Sequence, residues 1–129
     1  MIKKKKINQR DSRGYILDIF VKEPKDHCTI VTFKKNAVRG NHFHKKSTQY
    51  SFILEGKLNM YTSRINKKSQ LKNKIKKKIV KENDLIIHKP FISHAFKAIT
   101  KSKLLAFADG TRGGKNYEKD TFRLKKKLI

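Results

Sequence analysis

Residues 39–56 read RGNHFHKKSTQYSFILEG. Within them His42 and His44 stand one residue apart, Gln49 follows, and residues 50–54 have strand composition up to Glu55 and Gly56. On a strand, residues i and i+2 project from the same face, so the two imidazoles are expected to point together into whatever lies on that face. Gly56, followed by the alternating Leu58 and Met60, reads as a tight turn into a returning strand, which makes a hairpin. A histidine strand leading into a hairpin is a means of carrying titratable groups into a small barrel.

Outward from this stretch the chain consists of short apolar runs separated by turn signals. Upstream, residues 15–21 and 29–33 have strand composition, bounded by Asp-Ser-Arg-Gly at 11–14 and Glu-Pro-Lys-Asp at 23–26. Downstream, strands are expected from Ile79, over 85–88, over 94–99 and over 104–108, with breaks at 83–84, 89–92 and 100–102. No helical period is sustained, and many short strands with frequent turns argue for an all-β sandwich or barrel. The 129 residues suit one domain, 1–129. Two segments stand apart from the core of that domain. Residues 1–10 are basic and expected to fray or pair at a sheet edge, and 64–78 is a lysine-rich connection expected on the outside of the fold.

Charge and cysteine content narrow the function classes. Lys and Arg number 34 against 10 Asp and Glu, a formal net charge of +24. Such a balance ordinarily suggests nucleic acid or an anionic membrane. Here the lysines are scattered, the pattern of a solvated surface and of AT-rich codon usage, so nucleic-acid binding is not the expected function. The single cysteine, Cys28, excludes an intramolecular disulfide and suits a reducing compartment such as the cytoplasm; it reads as a small hydrophobe rather than a nucleophile. No long apolar run is present to span a membrane, and the opening MIKKKK lacks the apolar segment of a secretory signal.

The chemistry-bearing constellation is His42, His44, Gln49 and His94. Two imidazoles on one strand with a third from a later strand can close around Zn, Fe, Mn or Ni. They can equally leave one ring as a general base and another as its partner. Arg39 is a fork donor suited to a pyrophosphate, while Lys45 and Lys46 read as plain surface charge. Residues 110–114, Gly-Thr-Arg-Gly-Gly, lack the strand–loop–helix setting of a phosphate cradle and read as a turn. His27 and His88 adjoin turns and are expected at the surface. Tyr50, Phe52, Tyr61 and Phe96 are expected to alternate into the barrel, and Asp11 with Arg13 to pin a turn.

The spacing Gly40-x-His42-x-His44-x4-Gln49-x6-Gly56 resembles the first cupin motif, and residues 83–94 resemble the second. The resemblance implies a cupin jelly-roll β-barrel, the double-stranded β-helix. Gln49 replaces the family's usual glutamate ligand, Asn83 stands where glycine is usual, and Phe91 stands in the Pro-x-Gly turn. Among cupins the chain is most similar to the dTDP-sugar 3,4-ketoisomerases. That similarity rests on Asp11-Ser12-Arg13-Gly14, on residues 39–49, on Pro90-x-x-x-His94 and on the tail at 117–122.

The resemblance implies an isomerase or epimerase acting on a nucleotide-activated 4-keto hexose, such as dTDP-4-keto-6-deoxyglucose, in polysaccharide synthesis. His42 and His44 would move protons, Arg39, Gln49 and His94 would bind substrate, and no cofactor would be needed. A catalytic tyrosine carried by these isomerases before the histidine motif has no counterpart in 29–33. Cupins that act on UDP-4-keto hexoses in capsular-sugar synthesis share the Arg-Gly-Asn-His-aromatic-His run but keep the glutamate and a metal. The alternatives are therefore a metal-dependent cupin, such as an oxygenase, with a divalent ion (Fe, Mn, Zn or Ni) on His42, His44, Gln49 and His94, or a non-catalytic small-ligand binder. Cupins pair through their sheets, so a homodimer is expected by resemblance.

Overall fold

Side chains along residues 49–55 alternate about the sheet plane: Ser51 and Ile53 are fully buried between the layers, while Leu54 is exposed. The same alternation recurs through a computed structural model that describes residues 1–66, 68, 71, 74–109, 115 and 119–129. In chain order the strands are β1 (Ile2–Lys4), β2 (Gln9–Asp11), β3 (Gly14–Ile16), β4 (His27–Phe33), β5 (Val38–Phe43) and β6 (Gln49–Glu55). They continue as β7 (Lys57–Arg64), β8 (Lys76–Lys81), β9 (Asp84–His88), β10 (Ile92–Ala98), β11 (Ser102–Ala108) and β12 (Phe122–Arg123).

Two five-stranded sheets, ordered β1-β9-β6-β11-β4 and β12-β5-β10-β7-β8, face each other, with β2 and β3 forming a separate hairpin. From β4 onward most connections pass from one sheet to the other, which is the jelly-roll topology. The core draws on both layers: Phe33, Ile53, Ile86 and Leu104 from the first sheet meet Leu58, Met60, Val80 and Phe96 from the second. All-β architecture is thus as the sequence implies. The barrel consists of two facing layers, and the strand ladders among the described residues do not close into one continuous cylinder.

Several local expectations change. β6 and β7 are not a hydrogen-bonded hairpin: β6 pairs with β9 and β11, whereas β7 pairs with β8 and β10. Gly56, at φ +88°, turns the corner between the sheets, and a Cβ there would lie 2.8 Å from Ser102 Cα and closer still to the Lys101 carbonyl. Only glycine accepts both the dihedral and the approach. The strand expected over 15–21 shortens to β3, since its residues are largely exposed and pair only with β2. The connection expected over 64–78 is shorter than that span, because Arg64 ends β7 and Lys76 already begins β8. Ile65 within it is buried and bridges Leu71. The basic N-terminal segment is pinned by β1, which pairs with β9.

Of the four aromatics expected inside, only Phe96 joins the inter-sheet core. Gln49, Ser51 and Ile53 take the inner positions of β6, so Tyr50 and Phe52 fall on its outer face, where Tyr50 meets Phe20 edge-on at 5.5 Å and lies 4.0 Å under Lys25 Nζ. Tyr61 packs against a second cluster around Phe43, Leu124 and Leu128. Asp11 and Arg13 do pin the β2–β3 turn, through an ion pair of 2.7 Å. Asn83, where the cupin motif carries glycine, and Phe91, in the Pro-x-Gly turn, adopt φ +69° and +63°. Asn83 therefore keeps the backbone shape that glycine would give.

Candidate functional site

The site begins with a β-bulge. His42 lies opposite His94 and Gly40 opposite Ala95, so Asn41, at φ +57°, is the extra residue on β5. Gly40 allows the close approach, because a Cβ there would sit 2.7 Å from the His94 carbonyl oxygen and 2.9 Å from Ala95 Cα. Asn41 then ties down the C-terminal tail, accepting from Leu128 N at 2.8 Å and donating to the Ile129 carbonyl at 3.2 Å.

This arrangement brings the three motif imidazoles together. Ring centroids lie 5.1 Å apart for His42 and His44, 4.7 Å for His42 and His94, and 5.3 Å for His44 and His94. One nitrogen from each ring falls within 4.8 Å of the others. Gln49 joins them: its Oε1 is 3.1 Å from His44 Nε2, and its Nε2 is 3.0 Å from Ser51 Oγ.

His44 is buried and held at both ring nitrogens. Nδ1 lies 2.7 Å from the Asp120 carbonyl oxygen, which can only accept, so Nδ1 carries a proton. With Gln49 Oε1 facing Nε2, that nitrogen donates as well and the ring is an imidazolium. With the amide turned end for end, the Gln49 –NH2 donates to a bare Nε2 and the oxygen accepts from the Ser51 hydroxyl. The Asp120 carboxylate builds the loop behind this ring, accepting from the backbone N–H groups of Lys45, Lys46 and Ser47 at 3.1, 3.0 and 2.7 Å. Burial pushes its pKa up, but these donors outweigh burial and hold it below the ordinary value.

A cavity of about 780 Å3 opens onto His42, His94, Gln49 and Arg39. His44 does not line it and reaches it through Gln49. Arg39 is steered by a 2.9 Å bond from Nε to the Thr32 carbonyl and by stacking over Phe33, 5.6 Å from the ring centre. Arg123 and Lys127 add positive charge to the lining. Lys45 and Lys46 are exposed; Lys45 Nζ sits 4.1 Å over the Phe122 ring.

Two histidines expected at the surface belong to the interior. His88 is 1% exposed and lies parallel to His94, centroids 4.3 Å apart and planes within 3°. His27, half-buried, lines the same cavity as His42. Strand parity could have found both. His27 shares the inner face of β4 with Val31 and Phe33, and His88 shares that of β9 with Ile86. Burial lowers the His88 pKa to about 3, helped by the amino terminus and by His44 and His42. Burial likewise holds His94 well below its ordinary value, with His88, His42 and His44 adding to the effect. Both rings are therefore neutral at physiological pH. Residues 110–114, expected as a glycine-rich turn, and residues 116–118 of the tail lie outside the described residues. No helix among the described residues is long and apolar enough to cross a membrane.

Solved structures of the same shape include sugar 3,4-ketoisomerases and an epimerase. A sugar 3,4-ketoisomerase from Thermoanaerobacterium thermosaccharolyticum in complex with TDP superposes with a TM-score of 0.77 at 20% identity, over 97% of this chain and 88% of that one. A 3,4-ketoisomerase from Helicobacter canadensis gives 0.77 at 16% identity over 95% and 89%. The dTDP-4-dehydrorhamnose 3,5-epimerase from Sulfolobus tokodaii gives 0.71 at 21% identity over 83% and 68%. At these identities the likeness establishes the jelly-roll fold. No curated protein matches the sequence. A family profile described as the polysaccharide biosynthesis C-terminal domain matches residues 9–122, most of the chain, and the strands that carry the histidine cluster all fall within that span. The chain belongs to the polysaccharide biosynthesis C-terminal domain family.

Proposed function

We propose that the protein is an isomerase or epimerase of a nucleotide-activated 4-keto hexose, working by proton transfer from imidazole. The observation that carries this reading is His42, which faces a cavity of about 780 Å3 beside Arg39, Gln49 and His94. Family membership in polysaccharide biosynthesis and the shared shape of 3,4-ketoisomerases and epimerases support the substrate class.

The chemistry follows from the groups present. A 4-ketone acidifies the C3 proton, and a neutral imidazole of pKa about 6.5 removes it at working pH. The electron pair moves into a C3–C4 enediolate, whose O4 takes up a proton. Loss of the O3 proton and protonation at C4 then give the 3-keto isomer. His42 is the base in this scheme, and each positioned acid–base group is worth about 10²–10⁴-fold. His44, bonded to Gln49 and the Asp120 carbonyl, acts as a positioning residue. His27 supplies a second titratable ring on the cavity wall formed by β4, where the isomerases' tyrosine has no counterpart. Arg39 retains guanidinium donors beyond the Nε bond to Thr32, and with Arg123 and Lys127 it would hold the diphosphate. Exposed Ile30 and Leu54, on the outer face of the first sheet, suit pairing with a second copy.

Incubation with dTDP-4-keto-6-deoxyglucose is expected to yield the 3-keto isomer, and a His42→Asn variant with an intact fold is expected to yield none. Absence of any isomer or epimer from the wild-type protein refutes the proposal.

A second reading rests on the mutual 4.8 Å limit of the His42, His44 and His94 nitrogens. His94 Nε2 is buried without a partner among the described residues, and the Asp120 carbonyl orients His44 as ligand histidines are oriented. These residues fit a divalent ion, which would supply Lewis acidity to a substrate carbonyl. Gln49 gives an all-neutral ligand set, weaker than one with a carboxylate. Elemental analysis of the purified protein separates the readings: a stoichiometric metal whose removal abolishes turnover selects the second.

A further inference from the structure

The His88–His94 stack stands between two cavities. His94 lines the first, while His88 lines a second of about 590 Å3. The wall of the second is cationic, and the side chains that carry the charge are exposed at its mouth. Lys76 lies opposite Thr62 and Lys78 opposite Met60, and Met60 belongs to the inter-sheet core, so both lysines sit on the core-facing side of β8. Arg64, on the same side of β7, and Lys89, directly after β9, complete the rim. No aspartate or glutamate is among the residues that line this cavity.

Inward-facing lysines at the mouth of a sheet have a plain structural use, since charge on an edge strand such as β8 discourages pairing with other chains. That use leaves His88 unexplained. Its ring is 1% exposed, lines the cavity, and has no hydrogen-bond partner at either nitrogen among the described residues. Burying a polar ring away from any protein hydrogen-bond partner is costly, and an acceptor lodged in the cavity would offset that cost.

We propose that this second cavity binds a small phosphate-bearing anion, with Arg64, Lys76, Lys78 and Lys89 supplying the charge and an N–H of His88 a directed donor. Its volume of about 590 Å3 is of small-ligand size. The phosphates of a polymer or a bilayer would engage the lysines scattered over the convex surface instead, and would not reach His88. The site is independent of the reaction proposed at the first cavity.

The test is titration of the 129-residue chain with inorganic pyrophosphate by calorimetry, with histidine ring resonances followed by NMR. An Arg39→Gln/Arg123→Gln/Lys127→Gln variant removes the competing cations that line the first cavity. In that background one saturable site is expected to persist and the His88 ring resonances to move. A Lys76→Gln/Lys78→Gln pair is expected to weaken binding about tenfold through loss of two nearby charges. The exposed pair Lys125→Gln/Lys126→Gln, which removes equal charge away from the cavity, is expected to leave it unchanged. Loss of saturation in that triple variant, equal weakening by both lysine pairs, or fixed His88 resonances would each overturn the proposal.

Discussion

His88 lies flat against His94, ring centroids 4.3 Å apart and planes within 3°, with both rings about 1% exposed. Two neutral aromatic rings stack well; two imidazolium rings at that distance would repel strongly in a low-dielectric interior. Their lowered pKa values make this contact a source of pH-dependent stability. The unfolded rings titrate at about 6.5, so below that pH the unfolded chain binds more protons than the folded one. The stabilisation is complete above about pH 6.5 and falls as pH drops toward the folded value of about 3 for His88. Unfolding free energies from urea titration should decline from pH 7 to pH 5, by up to about 1.4 kcal/mol per pH unit for each ring. A His88→Phe variant, which keeps a flat ring and cannot titrate, should show a shallower decline, and an equal slope would contradict the assignment.

Asp120 is expected to hold the loop behind His44. Removing its carboxylate in Asp120→Ala leaves the backbone N–H groups of Lys45, Lys46 and Ser47 without their acceptor. The expected loss is about 2 kcal/mol in urea denaturation, with a smaller loss for Asp120→Asn, which keeps one acceptor oxygen. Equal stability of wild type and Asp120→Ala would show that the loop does not depend on this residue.

Gln49→Glu tests why the cluster carries a carboxamide. A carboxylate 3.1 Å from His44 Nε2 would raise that ring's proton affinity and complete an anionic ligand set with His42, His44 and His94. The variant is expected to copurify with, or titrate to, one divalent ion per chain more tightly than the wild type. Unchanged metal affinity would mean that the carboxamide is not what sets the preference.

Gly56 and Gly14 form a matched pair for backbone strain. Both have positive φ, +88° and +133°, but a Cβ at Gly56 meets the 101–102 backbone while one at Gly14 meets nothing within 4 Å. Gly14→Ala is expected to cost about 1 kcal/mol and Gly56→Ala about 3 kcal/mol, measured by thermal or urea unfolding. Equal costs would place the whole effect in the dihedral and none in the sheet-to-sheet corner.

Much of this was legible before any coordinates, because period-two alternation and turn residues are local signals. His42, His44, Gln49 and His94 meet as their motif spacing implies. What local pattern could not supply was pairing. β6 and β7 look like a hairpin in sequence, yet β6 bonds to β9 and β11 and β7 to β8 and β10, with the Gly56 corner packed against residues 101–102. Parity within a strand is readable but easily lost at strand ends, which is why His27 and His88 read in sequence as turn-flanking surface residues. The hold of Asp120 on His44 spans 76 residues, and nothing in the sequence near either residue announces it.

The central claim is that His42 removes a proton from the carbon beside a substrate ketone, and solvent exchange reads that step directly. With dTDP-4-keto-6-deoxyglucose in D2O, the wild-type protein is expected to place deuterium at C3, and His42→Asn to abolish the exchange while unfolding at a similar urea concentration. A wild-type protein that leaves C3 fully protonated, or a His42→Asn variant that exchanges as fast as wild type, would contradict the account.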